Sequence, residues 1–93
     1  MELSVLVVEE RERAVWEKAR NYLKRKKLKL YSASSVKETY KILNREPVNI
    51  VLSDFNLKNI NSLNFLKKIK TIRPDVEIIF LSERVPLSKA MEA

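Results

Sequence analysis

The segment Val48-Asn49-Ile50-Val51-Leu52-Ser53-Asp54 constrains this chain most. It is a short apolar run that begins after Pro47 and ends in an acid. The run is too short for a helix of ordinary length. Its β-branched and aliphatic residues read as a strand buried on both faces, as in a parallel sheet. A carboxylate at the C-terminal end of such a strand stands where open α/β sheets place their chemistry. Taken alone, Asp54 fits a strand-end residue that caps a turn better than a reactive group. The rest of the chain decides between the two.

Three more apolar runs flank it. Leu3 to Val8 reads as a buried strand that leads directly into Glu9 and Glu10. Leu28 to Ala33 alternates more weakly, as a short strand near the sheet edge. Val76 to Leu81 is a further buried strand, followed by Ser82. Helical periodicity fills the gaps. The first helix is expected from about Arg11 to Lys26, with Val15, Ala19, Tyr22 and Leu23 on its inner face and Trp16 beside them. The second runs to about Asn44. Ser35 is its N-cap, Glu38 completes a capping box, and Val36, Tyr40 and Leu43 face inward. The third is expected from about Ser62 to Ile72, with Leu63, Leu66 and Ile69 inward, stopped by Arg73-Pro74-Asp75. Pro86 and Leu87 open a fourth, with Ala90 and Met91 on its apolar side. Strands alternating with helices at this spacing imply βαβ units and an open parallel α/β sheet in one domain, residues 1–93.

Composition narrows the chemistry. The 93 residues are 45% hydrophobic and 33% charged, the balance of a soluble globular domain. Cysteine and histidine are both absent, which removes disulfides, thiolate metal sites, imidazole ligands and the usual catalytic base. There is no glycine-rich phosphate loop, so an independent enzyme is not expected. No apolar run is long enough to cross a bilayer, and the N-terminus lacks the pattern of a secretory signal. The expected location is therefore the cytoplasm.

Glycine is also absent, so Asn44, Asn59 and Asn61 are the expected substitutes wherever a turn needs positive φ. The net charge of +7 comes from 19 Lys+Arg against 12 Asp+Glu. Lys24-Arg25-Lys26-Lys27 fits the negative end of the first helix dipole, and no aromatic residue interleaves with it as a stacking platform would need. Direct nucleic-acid binding is not expected.

In a parallel sheet all C-terminal strand ends share one edge. With the first and third strands adjacent, Glu9, Glu10 and Asp54 would meet there, and Ser82 would end the next strand. Crowded carboxylates repel, and a divalent cation relieves the repulsion. Oxygen-only ligands at an open site favour magnesium. Such a site suits phosphoryl transfer to an aspartate.

The order of these pieces resembles the receiver domain of bacterial two-component response regulators. The resemblance rests on Leu6-Val7-Val8-Glu9-Glu10, Tyr31-Ser32-Ala33-Ser34-Ser35, Ile50-Val51-Leu52-Ser53-Asp54, Asp54-Phe55-Asn56-Leu57 before the Leu63 helix, and Arg73 to Ser82. It covers nearly the whole chain. It implies a flavodoxin-like fold of strand order 2-1-3-4, truncated within the fourth helix and lacking the fifth strand and helix. By the resemblance Asp54 accepts a phosphoryl group from a sensor histidine kinase. Glu9, Glu10 and the backbone carbonyl of Asn56 hold Mg2+, and Ser82 is the switch hydroxyl.

The chain departs from the family pattern in several places. Both residues of the acidic pair are glutamate. Lys27, Val36 and Ser62 stand where the family has glycine, Lys58 stands for a proline, and the fifth-strand lysine has no counterpart in this sequence. An edge left by the fourth strand would seek a partner, so a homodimer through the fourth strand and helix is expected. The alternative function is a degenerate pseudo-receiver, a dimerisation or protein-docking module that works without phosphorylation.

Overall fold

A computed structural model describes residues 3–9, 14–54 and 61–81. The elements run β1 (Ser4–Val8), α1 (Ala14–Arg25), β2 (Lys29–Ala33), α2 (Val36–Arg45), β3 (Ile50–Asp54), α3 (Ser62–Ile72) and β4 (Glu77–Leu81). The four strands form one sheet of order β2-β1-β3-β4, parallel at every pairing. This is the order that the receiver resemblance implied. The expected fourth helix from Pro86 onward lies outside the described residues.

β1 occupies the middle of the sheet, and all five of its residues are buried. Its alternate side chains feed two cores. On one face Leu6 and Val8 pack with Val51 of β3, with Ile42 and Leu43 of α2, and with Phe65 and Ile69 of α3. On the other face Val5 and Val7 pack with Trp16 of α1, bordered by Leu23, Leu30, Ile50 and Leu52. Helices therefore cover both faces, as a parallel sheet requires.

The helix phases differ from the expected ones in two places. On α1, Trp16 is 1% exposed and Tyr22 is 58% exposed. Indole carries more apolar area than phenol, and the Tyr22 ring instead lies under the Lys26 ammonium at the surface. On α3 the buried residues are Phe65 and Ile69, while Leu63 is 58% exposed. Phe65 reaches the Tyr40 ring, with centroids 6.0 Å apart, and that contact turns the helix. On α2, Thr39 and Ile42 join Leu43 in the interior.

The caps are local. Ser35 Oγ accepts from the Glu38 backbone N–H at 3.1 Å, as the capping box predicts. The Glu38 carboxylate receives the Ser34 hydroxyl at 3.5 Å. Asn61 caps α3 by accepting from Asn64 N–H at 2.8 Å, with φ of −83°. Asn44 is helical, and Asn59 lies outside the described residues. Among the described residues the positive φ falls instead on Lys27, at 59°. Lys27 stands at the turn between α1 and β2, where a left-handed residue ends the helix. For a residue with a Cβ that conformation costs about 1–2 kcal/mol.

The N-terminal edge of the sheet is stitched by polar groups. Asn49 Oδ1 accepts from Ser4 N–H at 2.8 Å. The Arg73 guanidinium donates to the carbonyls of Glu46 (3.1 Å) and Val48 (3.0 Å), which joins the α2–β3 and α3–β4 connections. It also holds the Asp75 carboxylate through two bonds, at 3.1 and 3.0 Å. The Arg73 hydrogen bond keeps the Asp75 carboxyl below the usual carboxylate range.

Replacing Arg73 with alanine removes its hydrogen bonds to the Glu46 and Val48 carbonyls, and Glu46 O keeps the Val48 backbone N–H. The expected loss is about 2 kcal/mol, from the usual worth of hydrogen bonds to a charged group. Because the folded-state pKa of Asp75 is depressed, its contribution is present above the unfolded carboxylate pKa and is lost as pH falls through the folded value. Urea denaturation at several pH values should show the gap between wild type and Arg73→Ala narrowing in acid.

Candidate functional site

The opposite, C-terminal edge of the sheet carries charge. Asp54 is the last residue of β3 and is 8% exposed. The preceding Ser53 is fully buried, and its Oγ donates to the Asp54 carbonyl at 3.1 Å. Val8 pairs with Ser53 in the β1–β3 ladder, so Glu9 follows one step on, beside the end of β3. Glu9 N–H donates to Ala33 O at 3.0 Å, which carries the β1–β2 ladder to the same level. Leu81 pairs with Asp54 and closes β4 at this height. The ends of β1 and β3 thus bring Glu9 and Asp54 to one edge, as the topology predicted. Glu10, Asn56 and Ser82 lie outside the described residues.

Glu9 is buried, at 8% exposure, and its two oxygens differ. Oε1 is ion-paired with the Arg20 guanidinium of α1. Oε2 is buried and has no hydrogen-bond partner among the described residues. A buried carboxylate needs a counter-ion, and a half-satisfied one has capacity for another cation or donor. No group of three or more carboxylates forms a cluster able to hold a metal among the described residues. The oxygen donors at hand are those of Glu9 and Asp54, and a hard cation such as Mg2+ matches them.

Arg20 was not among the residues singled out from the sequence. The signal was present: Trp16, Arg20 and Leu23 are spaced i, i+4, i+7 and share one face. With the face centred on Trp16, Arg20 is its charged member. Centring it on Val15, Ala19 and Tyr22 hides this.

The sequence matches the response regulator receiver domain over residues 5–93. The chain belongs to the response regulator receiver domain family. Comparison with curated proteins gave no match. The receiver fold is shared with several solved structures. One is a CheY-like receiver domain protein from Methanospirillum hungatei JF-1. It superposes with a TM-score of 0.78 at 19% identity, over 98% of this chain and 72% of that one. Another is the MaeR response regulator bound to beryllium trifluoride, with TM-score 0.74, 24% identity, and coverage of 97% and 75%. A third is a response regulator from Burkholderia pseudomallei with a phosphorylated aspartic acid, calcium ion and citrate. It gives TM-score 0.77 and 20% identity, and is covered over 53% of its length by 98% of this chain. Among the described residues of this receiver domain no helix is long and apolar enough to cross a membrane.

The Glu9–Arg20 pair is asymmetric, since Arg20 is 26% exposed against 8% for Glu9. Once unpaired, Arg20 can turn to water, whereas Glu9 stays buried. Arg20→Met should therefore destabilise the metal-free protein more than Glu9→Gln. A double-mutant cycle in urea with chelator should return a coupling of about 1–2 kcal/mol.

Proposed function

We propose that this receiver domain accepts a phosphoryl group on Asp54 from a sensor histidine kinase. The observation that carries the reading is the buried Asp54 carboxylate at the end of β3, beside the buried Glu9 at the end of β1. In the step, one Asp54 Oδ attacks the phosphorus of a kinase phosphohistidine. The P–N bond breaks, its electron pair leaves on the imidazole nitrogen, and that nitrogen takes a proton from solvent. The product is an aspartyl phosphate. The domain acts here as an acceptor and not as an independent enzyme, in the cytoplasm.

Glu9, Glu10 and the Asn56 carbonyl would hold Mg2+ together with Asp54. Bound there, the cation neutralises charge on the transferred group. The unpartnered Glu9 Oε2 supports such a ligand. The Ser82 hydroxyl would donate to the new phosphoryl oxygens, and the added charge would bias the surface around β4.

Beryllofluoride with Mg2+ tests the reading, because it mimics the acyl phosphate without a kinase. Trp16 lies one helical turn from the arginine that pairs with Glu9, so its fluorescence should report occupancy. A saturable change that vanishes in Asp54→Asn is expected. No change with a folded sample at high Mg2+ removes Asp54 as an acceptor.

A second reading, docking without phosphorylation, draws on β4. It is the outermost strand on its side of the described sheet, and Ile79 is 49% exposed. A second copy of the chain pairing along this strand would cover it. Light scattering should then give twice the chain mass, and Ile79→Lys should halve it, with no beryllofluoride response from either chain.

A further inference from the structure

We infer that Arg20 is a built-in counter-ion that opposes metal binding at the acidic end of the sheet and so sets the Mg2+ concentration the site requires. The inference deepens the acceptor reading above and rests on it for the metal.

Four observations carry it. First, Glu9 is buried and its Oε1 is paired with Arg20. Second, Glu9 Oε2 is buried with no partner among the described residues, so the carboxylate is half satisfied. Third, Arg20 is itself three-quarters buried, at 26% exposure. Fourth, it stands one turn after Trp16, which is 1% exposed and locked against Val5 and Val7. The packing of α1 thus places the guanidinium beside the end of β1, where Glu9 holds it.

A guanidinium stays charged at every physiological pH and has only donors. It cannot coordinate a cation. It can only compete for the carboxylate or repel the ion that approaches. While Oε1 is taken, Glu9 has one oxygen to offer. Mg2+ gives up its water shell reluctantly and needs strong negative potential to do so. A fixed positive charge on one of the site's carboxylates lowers that potential, and such repulsion is weakly screened in a partly buried place.

The same pair has a benefit without metal. Glu9 would otherwise be a buried charge with no counter-ion, which is strongly destabilising. The arrangement therefore keeps the metal-free domain folded and sets a threshold for metal entry. Occupancy by Mg2+ requires Arg20 to loosen from Glu9. Phosphoryl acceptance, which needs the cation, would then require a higher free Mg2+ level than in a domain whose carboxylates stand unpaired.

The test is a titration with Mg2+ alone, no phosphodonor, at fixed ionic strength. Trp16 fluorescence and the Mg2+-induced rise in melting temperature are the readouts. Three chains are compared: wild type, Arg20→Met, which keeps the apolar stem, and Arg20→Lys, which keeps the charge. Arg20→Met should bind at least about fivefold more tightly than wild type, from loss of one nearby positive charge. It should also show the larger Mg2+-induced rise in melting temperature, because its Glu9 has no other counter-ion. Arg20→Lys should stay close to wild type.

Equal affinity in wild type and Arg20→Met overturns the inference and leaves the acceptor reading standing. Weaker binding in Arg20→Met also overturns it, and makes Arg20 an orienting residue for Glu9. No binding by any of the three overturns both readings. If Arg20→Met does not fold, the wild type decides alone. The Arg20 Nε–H resonance should shift and exchange faster at saturating Mg2+, and a resonance that does not move overturns the inference.

Discussion

The structure depends on β1 being buried on both faces between two parallel neighbours. Its four apolar side chains, Val5 to Val8, are each at most 2% exposed. Burying a side chain of this size is worth about 1.5–3 kcal/mol, against about 0–1 kcal/mol for an exposed ion pair. The central strand therefore outweighs the many surface charges of this basic chain. It also decides where chemistry can occur. With β2 and β3 held in register on either side, the residue that follows Val8 must emerge beside the end of β3.

The two ends of the sheet are built differently. At the N-terminal edge, Asn49, Lys70 and Arg73 satisfy backbone groups. Lys70 donates to the Val76 carbonyl, and Arg73 donates to two more. These bonds tie the connections to one another and leave that edge polar but neutralised. At the C-terminal edge two carboxylates are buried, and one of them depends on an arginine from α1. A charge added or removed at this second edge acts on groups with little water around them, where electrostatic effects are largest. The stitched edge supplies the fixed frame against which such a change is felt.

A chain without glycine could be expected to struggle with tight connections. Here one residue in the left-handed region suffices among the described residues, and it is a lysine at a helix end. The starts of α2 and α3 use extended backbone with a side-chain cap, at Ser35 and Asn61. These caps need no positive φ: Asn61, expected as a glycine substitute, caps α3 at a φ of −83°, and Asn44 is helical. Lys27 takes positive φ although it carries a Cβ, so the strain follows the backbone path and not the residue best suited to it.

The strands and the position of Asp54 were legible in the sequence, because period, run length and the alternation with helices are properties of the chain itself; the strand order came from the resemblance to the receiver family. The capping of α2 by Ser35 was legible for the same reason. The phases of α1 and α3 were not. Periodicity places Leu63 and Phe65, or Tyr22 and Trp16, near the same boundary, and only docking on the sheet chooses which is buried. Phe65 is chosen by its contact with Tyr40, and Trp16 by the space between Val5 and Val7. The Glu9–Arg20 pair follows from that choice. Eleven positions separate the two residues along the chain. They meet because burying Trp16 turns Arg20 toward the end of β1, and a buried carboxylate there requires a cation. The sequence by itself determined a parallel sheet with acids at one end. The tertiary packing decided which positive charge faces them.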